Sequence, residues 1–464
     1  MTVETLKIEE IVKKVLVEMT AKSQKPQETL GIFQDMNEAV EAAWIAQKEL
    51  VKFDLKTRGK FIEAMRKEAK KNVELLSKMA YEETNMGRYE DKVSKNIVAI
   101  EKTPGIEDLK PDVYSGDDGL TLIELSPYGV IGSITPTTNP SETIICNAIG
   151  MIAAGNSVVF SPHPSATKTS LKTVEILNKS IIDAGGPSNL LTTVSNPSLE
   201  QADIMIKHKK VNMLVATGGP AVVKAVLSSG KKAIGAGAGN PPAVVDETAD
   251  IEKAARDIIA GCSFDNNLPC VAEKEVIVVD SVADYLIFNM KKSGAYELKD
   301  PELILKLQKM IVGENGYPVK EFVGKNADYI LGKMGIECDD CVRAIIMEVP
   351  KDHPFVVGEL MMPVLPIVRV KDVQEAIELA VSVEHGFRHT AIMHSKNIDT
   401  LTQFAKEIQT TIFVKNGPSF AGIGVGGEGY ATFTIAGPTG EGLTSAKSFA
   451  RRRRCTLVGG FAIK

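Results

Sequence analysis

Short apolar runs alternate with helical segments along most of this chain, and this alternation constrains the fold more than any other feature. The runs at 129–134, 157–160 and 211–216 are each followed by a segment with helical periodicity. Those segments begin near Ser141 and Thr167 and at Pro220. Strands that alternate with helices at this spacing form βαβ units in a largely parallel sheet. The sequence therefore predicts an α/β fold with an open, Rossmann-type nucleotide-binding sheet.

A second α/β unit is predicted after the first, with the apolar runs Pro242–Val245, Glu275–Val279 and Met362–Val368. Two further runs, Leu120–Leu125 and Cys455–Val458, fit neither unit. Strands without an evident home sheet are candidates for pairing across a subunit boundary. The predicted division is a cofactor-binding domain at 30–115 and 129–238, a catalytic domain at 239–430, and a small β oligomerisation element at 116–128 and 431–464.

The first twenty residues have apolar side chains at the i, i+3, i+4 spacing of an amphipathic helix, at Ile8, Ile11, Val12 and Val15. Residues 21–29 are polar and include a proline, which is typical of a linker. A short tethered helix cannot bury its apolar stripe alone. It packs back on the body or docks on another protein, and the linker favours docking.

Composition excludes several classes of partner and compartment. The formal net charge of -5 provides no basic field for nucleic acid, and the run Arg451–Arg454 has no interleaved aromatic residues. The chain has no uncharged apolar stretch of about 18 residues and no secretory signal pattern, so we expect a cytoplasmic protein without a membrane span. Six cysteines in a chain of 464 residues are too few for a disulfide framework.

Among the cysteines, Cys270 is the strongest candidate for a catalytic thiol. It follows the polar break Asp265–Pro269 and precedes a predicted strand, a junction that a ligand can reach. Cys146 and Cys262 lie in apolar stretches typical of a core. Cys338-Asp-Asp-Cys341 has metal-ligand spacing but lacks a second ligand pair, so we predict no metal site. Spacing alone leaves open whether Cys270 is a nucleophile.

Five motifs together resemble the aldehyde dehydrogenase superfamily, and more narrowly its CoA-acylating branch of butanal, propanal and acetaldehyde dehydrogenases. In chain order they are Thr135-Pro-Thr-Thr-Asn-Pro140, Ala216-Thr-Gly-Gly-Pro220, Asn266-Asn-Leu-Pro-Cys270, Glu359-Leu-Met-Met-Pro363 and Gly437-Pro-Thr-Gly-Glu-Gly442. The resemblance extends over the chain from about residue 30. It implies the aldehyde dehydrogenase-like architecture of cofactor domain, catalytic domain and β element, assembled as a homodimer or homotetramer.

The resemblance also implies roles for individual residues. Cys270 matches the catalytic cysteine, and Asn139 matches the asparagine whose amide helps to form the oxyanion hole. A thiolate that adds to a carbonyl creates an alkoxide, which needs such donors. The matching cofactor contacts to NAD are Pro136, Thr217, Gly218 and Glu359, where Glu359 corresponds to the glutamate that binds the nicotinamide ribose.

Departures from the hydrolytic relatives point to CoA as the acyl acceptor. Ala236 stands where those enzymes have a glutamate that activates water, so a thioester on Cys270 is expected to pass to a thiol. His389, preferred to His385, is the candidate base for CoA, with a purely structural histidine as the alternative. Where many relatives have a lysine near the adenine ribose, this chain has Ser161 and His163 as candidate neighbours, so NAD specificity is an expectation.

The N-terminal helix resembles the leader segments that direct acylating aldehyde dehydrogenases into bacterial microcompartments, which implies a shell protein as a partner of residues 1–20. The predicted function is the interconversion of a C2–C4 aldehyde, CoA and NAD with the acyl-CoA and NADH. Two alternatives remain at this stage: a reductase of the γ-glutamyl-phosphate type, which needs a phosphate site, and a non-catalytic microcompartment cargo protein.

Overall fold

The computed structural model describes residues 30–463, so the predicted helix at 1–20 and linker at 21–29 lie outside the described residues. The helices are α1 Met36–Leu50, α2 Leu55–Lys71, α3 Val73–Thr84, α4 Tyr89–Lys102, α5 Pro140–Ala153, α6 Thr167–Asp183, α7 Leu199–Lys207, α8 Pro220–Leu227, α9 Ile251–Ser263, α10 Asp280–Lys292, α11 Pro301–Ile311, α12 Ala327–Lys333, α13 Pro354–Val357, α14 Val373–Val383 and α15 Ile398–Ile408. The strands are β1 Ile32–Phe33, β2 Asp112–Gly116, β3 Gly119–Pro127, β4 Val130–Thr135, β5 Ser157–Pro162, β6 Leu191–Val194, β7 Val211–Thr217, β8 Lys232–Ala236, β9 Pro242–Val245, β10 Glu275–Val279, β11 Ala295–Glu297, β12 Ala344–Glu348, β13 Val364–Val370, β14 Thr390–His394, β15 Ile412–Lys415, β16 Ile435–Ala436, β17 Gly442–Leu443 and β18 Ala450–Val458.

The first sheet is parallel and has the strand order β1-β6-β5-β4-β7-β8. All six residues of β5 are buried, as expected for a strand covered by helices on both faces. The strand–helix pairs predicted from the sequence are confirmed, because β4, β5 and β7 are followed by α5, α6 and α8. Helix α5 begins at Pro140 with Asn139 at its N-cap, the position where proline is well tolerated.

The second sheet is also parallel, with the order β11-β12-β13-β10-β9-β14-β15. Strands β9, β10 and β13 lie where the sequence predicted them, whereas β11, β12, β14 and β15 were not predicted. The carboxyl ends of β4, β7 and β8 in the first sheet approach the segments that precede β9, β10, β13 and β14 in the second. Ligands of open α/β sheets bind at the carboxyl ends of strands, so this junction is the expected site.

The two strands without a home sheet pair with each other. β18 runs antiparallel to β3 along its whole length, and β2 covers the other edge of β3. Antiparallel pairing thus brings together two segments that are more than 300 residues apart in the chain, and pairing across a subunit boundary stays a prediction. The sheet also includes β2 at 112–116, which begins before the residue at which we predicted the β element to start. The division into domains otherwise stays a prediction.

Helix α5 is buried along its entire length, and its N-cap residue, Asn139, lies at the junction of the sheets. Its residues are apolar on all sides except for a few polar groups such as Glu142 and Asn147, as expected for a helix in the core. A helix held on every side gives a rigid support for its N-cap residue, Asn139. The helices described for residues 30–463 are all too short or too polar to cross a lipid bilayer.

Candidate active site

A cavity of about 610 Å³ opens where the two sheets meet. It brings together eight of the nine residues that the sequence assigned to a site, although they come from segments up to 250 residues apart. They are Pro136, Asn139, His163, Thr217, Gly218, Cys270, Glu359 and His389. The ninth, Ser161, is buried within β5 and is not among the described residues that line the cavity.

An unusual backbone carries Cys270 to the cavity. Asp265, Asn266 and Asn267 all have left-handed φ angles, of 46°, 53° and 65°. Asparagine and aspartate tolerate this region better than other residues with a Cβ. All three side chains are buried and hydrogen-bonded, and these bonds hold the loop in its unusual backbone conformation. For example, the Asn266 amide donates to the carbonyl of Gly324 at 2.9 Å. The Asx-rich break therefore fixes the nucleophile's position.

The Cys270 thiol is partly exposed to the cavity, while dense packing around it raises its pKa to about 12. Burial is the main cause, the Glu359 carboxylate adds to it, and Lys274 opposes both. The resting thiol is therefore protonated at neutral pH. Because only the thiolate is a strong nucleophile, a change in this environment during the reaction must promote loss of the proton.

Asn139 lines the same cavity as Cys270 and has an amide whose two ends are oriented by its neighbours. Its Oδ1 accepts a hydrogen bond of 2.6 Å from the buried Lys95 ammonium, and its Nδ2 donates to Thr138 Oγ1 at 3.2 Å. One Nδ2 proton thus has no partner in the described structure and faces the cavity that Asn139 lines. A fixed amide donor with a free proton is suited to stabilise an oxyanion.

His389 is buried, and its ring and the Cys270 carbonyl oxygen both lie close to Gly239. The backbone N–H of His389 donates to Glu384 Oε1 at 2.8 Å, and its Nδ1 lies 2.9 Å from Thr390 Oγ1. Its buried Nε2 has no hydrogen-bond partner among the described residues. Burial lowers the pKa of His389 to about 4, and Lys274 adds to this effect, so the ring is neutral at physiological pH. A neutral imidazole with a free nitrogen can accept a proton.

Gly239 lies close to both Cys270 and His389. A Cβ placed on it would lie 2.8 Å from the Cys270 carbonyl oxygen and 2.9 Å from Cγ of His389. Its backbone N–H also donates to the Glu359 carboxylate. Two residues of the glycine-rich stretch that ends at Gly239, Gly235 and Ala236, belong to β8. The close approach at Gly239 depends on tertiary packing and leaves no local sequence signal.

Glu359 and Lys274 form a charged pair at the same place. Lys274 Nζ lies 3.6 Å from Glu359 Oε1 and donates to Asn267 Oδ1 at 2.7 Å. Burial raises the pKa of Glu359, while Lys274 opposes that rise. Glu359 is the only carboxylate among the described residues that line the cavity, and Ala236 lines it at the position expected for a water-activating glutamate. The sequence analysis did not identify Lys274.

The other end of the cavity fits a dinucleotide. A Cβ on Gly218, Gly219 or Gly237 would meet no atom within 4 Å, so these backbones border open space. Gly219 caps the N-terminus of α8, whose first amides are suited to an anionic or polar group. His163 accepts a hydrogen bond at Nδ1 from the backbone of Ser165, which leaves Nε2 free to contact a ligand. The residues present therefore fit a nicotinamide cofactor.

Comparison with known proteins agrees with this geometry. The family model described as the aldehyde dehydrogenase family matches residues 27–433. The chain is 49% identical to the acetaldehyde dehydrogenase (acetylating) EutE of Salmonella typhimurium, with 98% of this chain and 99% of that protein covered. It is also 49% identical to the propanal dehydrogenase (CoA-propanoylating) of Citrobacter freundii, with 99% and 100% covered.

Solved structures give the same result. A Rhodopseudomonas palustris propionaldehyde dehydrogenase with bound CoA and an acylated cysteine is 61% identical, with a TM-score of 0.93 over 94% of this chain and 100% of that chain. A propionaldehyde dehydrogenase from the Clostridium phytofermentans fucose utilisation bacterial microcompartment is 52% identical, with a TM-score of 0.92 and the same coverage. The chain belongs to the aldehyde dehydrogenase family.

Proposed function

We propose that this protein is a CoA-acylating aldehyde dehydrogenase that interconverts a short-chain aldehyde, CoA and NAD with the acyl-CoA and NADH. The observation that carries the proposal is the meeting of Cys270 and His389 across Gly239, in a cavity without a carboxylate at position 236. The relatives named as CoA-propanoylating and acetylating dehydrogenases support it over the full chain.

The first half-reaction acylates Cys270. The Cys270 thiol gives its proton to solvent in the cavity, and the resulting thiolate adds to the aldehyde carbonyl carbon. A C–S bond forms as the carbonyl π bond breaks, and the oxygen becomes an alkoxide that accepts a hydrogen bond from Asn139 Nδ2. The alkoxide re-forms the carbonyl as the hydride leaves the same carbon, which leaves a thioester on sulfur. Bound NAD supplies the acceptor for this hydride. Glu359 would hold the ribose and Thr217 and Gly218 would border the phosphates.

The second half-reaction transfers the acyl group. The CoA thiol gives its proton to the free Nε2 of His389, and its sulfur attacks the thioester carbonyl carbon. Collapse of the tetrahedral adduct breaks the bond to Cys270 and releases acyl-CoA. Water competes poorly, because no carboxylate occupies position 236 to activate it. Every step is reversible, so the same residues would reduce an acyl-CoA to the aldehyde.

The substrate is proposed to be a C2–C4 aldehyde such as propanal or butanal. Apolar side chains that include Leu268, Phe433 and Ile435 line the cavity beside Cys270 and suit a short alkyl group. A phosphorylated substrate of the glutamyl-phosphate type is disfavoured, because Lys320 is the only lysine or arginine among the described lining residues. NAD is the proposed cofactor, with His163 near its adenine ribose.

The direct test is a spectrophotometric assay with propanal, NAD and CoA. We expect continuous NADH formation that requires CoA and that Cys270→Ala abolishes. Cys341→Ala, which removes an exposed thiol that is not among the described residues lining the cavity, is the matched control and is expected to retain the wild-type rate. Steady NADH formation without CoA at the same rate would instead indicate a hydrolytic enzyme.

Two assemblies are proposed in addition. The exposed three-stranded sheet, with Val113, Tyr114 and Val458 exposed on it, is proposed as the contact surface of a homodimer or homotetramer. Light scattering coupled to size exclusion would give a monomer mass if this is wrong. Residues 1–20 are proposed to direct the enzyme into a microcompartment by docking on a shell protein. Deletion of this segment would then remove the enzyme from purified shells, and unchanged co-purification would contradict the proposal.

A further inference from the structure

A buried cluster of charges lies directly behind Asn139 and takes no part in the steps above. It consists of Lys92 and Lys95 from α4, Glu142 from α5 and Asp265 from the Cys270 loop, all 0–1% exposed. The charges balance, with two cations and two carboxylates. Buried ionic groups add little net stability compared with apolar residues of the same shape. Their presence at this place therefore calls for a role other than stability.

Lys95 lies at the centre of the cluster. Its Nζ is 2.6 Å from Asp265 Oδ2, 2.6 Å from Asn139 Oδ1, 3.3 Å from Glu142 Oε1 and 3.3 Å from the carbonyl oxygen of Thr138. Burial alone would lower the pKa of Lys95, but the carboxylates of Asp265 and Glu142 outweigh burial and raise it. Lys95 is therefore a charged ammonium that is surrounded by oxygen atoms.

The ammonium determines which end of the Asn139 amide faces the cavity. An ammonium has three protons and no lone pair, so it can bind only the oxygen of a neighbouring amide. Because Lys95 binds Oδ1, the Nδ2 end is turned away from the ammonium, and it donates to Thr138, which lines the cavity together with Asn139. An amide turned by half a rotation would present an oxygen to the alkoxide and would repel it. Burial between α4 and α5 prevents water from taking the place of Lys95.

The same ammonium also fixes the distance between this donor and the nucleophile. Asp265 joins Lys95 to the left-handed loop that leads to Cys270, and its Oδ1 accepts a hydrogen bond of 2.7 Å from the backbone of Arg88. One cation is thus bonded both to the oxyanion donor and to the base of the cysteine loop. A donor placed to within a fraction of an ångström of the developing charge is what transition-state stabilisation requires.

We infer that Lys95 is a positioning residue for the first half-reaction. It orients the Asn139 amide toward the alkoxide and holds that amide at a fixed position relative to Cys270. This inference rests on the proposed function. It predicts that Lys95 acts through Asn139, so the two residues are energetically coupled in the acylation step. A purely structural role would give independent effects.

The test is a double-mutant cycle on the rate of the NADH burst with propanal and NAD in the absence of CoA. Asn139→Ala and Lys95→Met are each expected to slow the burst by about 10²–10³-fold, the usual effect of a lost oxyanion donor. The double variant Lys95→Met/Asn139→Ala is expected to be no more than about threefold slower than Asn139→Ala, because contacting residues are not additive. Loss equal to the product of the single effects would overturn the inference.

Lys92→Met is the matched control. Lys92 lies one turn earlier on α4, is equally buried and pairs with Asp265 at 3.1 Å, but among the described residues it forms no hydrogen bond with Asn139. Its effect is expected to multiply with that of Asn139→Ala. Thermal unfolding and NAD binding confirm that each variant is folded. If Lys95→Met does not fold, Lys95→Gln replaces it in the cycle. A glutamine amide can still donate to Asn139, so a smaller slowing of the burst is expected, and this slowing should disappear in the Asn139→Ala background.

The outcome separates this inference from the proposed function. If wild-type enzyme gives no burst and no CoA-dependent NADH, the proposed function fails and the cycle has no signal. If the wild type gives a burst while Lys95→Met retains it, the function stands and the role of Lys95 is wrong.

Discussion

Gly239→Ala is predicted to damage the site although the glycine itself takes no part in bond making. The added Cβ would lie 2.8 Å from the Cys270 carbonyl oxygen, 2.9 Å from Cγ of His389 and 3.2 Å from its Nδ1. An ordinary contact is at least 3.4 Å, so each neighbour must move by about half an ångström. Overpacking of this kind costs about 1–3 kcal/mol.

The catalytic cost is expected to exceed the cost in stability. A displacement of this size in the nucleophile and the base can reduce the rate by about 10²-fold. Stopped-flow NADH bursts without CoA would report the acylation step, and steady-state rates with CoA would report the complete cycle. We expect both to fall, because the backbone of Cys270 serves the first step and the ring of His389 serves the second.

Gly237→Ala is the control for this prediction. Gly237 lies two residues earlier, and a Cβ on it would meet no atom within 4 Å. The Tm of Gly237→Ala is expected to equal that of the wild type, whereas the Tm of Gly239→Ala is expected to be several degrees lower. If Gly239→Ala kept the wild-type Tm and both rates, the close packing of Cys270 against His389 across this glycine would be refuted.

Three further predictions concern the charges around the site. Ala236→Glu places a carboxylate where the hydrolytic relatives have their water-activating glutamate. We expect repeated turnover without CoA, at a rate of NADH formation about 10²–10⁴-fold above that of the wild type. A single burst of NADH without further turnover would contradict this. Glu359→Gln removes a carboxylate that raises the pKa of Cys270, so alkylation of the thiol by iodoacetamide at about pH 8 should become faster; a slower reaction would reverse the assigned sign. Burial raises the pKa of Glu273 from 4.5 to about 7, so between these pH values the native state binds more protons than the unfolded chain. The free energy of unfolding therefore falls by about 3 kcal/mol as the pH rises from 4.5 to about 7. Denaturant midpoints measured across that range should show this fall, and Glu273→Gln should remove it.

The part of the fold that the sequence predicts is the part with local periodicity. Strands β4, β5 and β7 are continuous apolar runs because both of their faces are covered, and the helices after them begin at recognisable breaks such as Pro140 and Pro220. Strands β11 and β15 have only three and four residues and no clear pattern, so their place in the second sheet depends on tertiary pairing.

The candidate site divides in the same way. Cys270 and Asn139 each lie in a short contiguous motif that resembles a motif of the aldehyde dehydrogenase superfamily. Both residues could therefore be identified from the sequence. Lys95 and Lys274 were missed because a lysine in a helix or beside a strand is ordinarily a solvated residue, and only the packed structure shows that both are at most 3% exposed. Ser161 was assigned to the cofactor from its position after a strand, but the strand continues to Pro162 and keeps the side chain buried.

The most direct test of the account is the fate of the acyl group on Cys270. Enzyme mixed with propanal and NAD, without CoA, is digested and examined by mass spectrometry, and a parallel sample receives CoA before digestion. The account predicts one propionyl group on the peptide that contains Cys270, stable in water over many turnover times and discharged as propionyl-CoA when CoA is added. An adduct on another cysteine, or one that water removes as fast as CoA does, would contradict it.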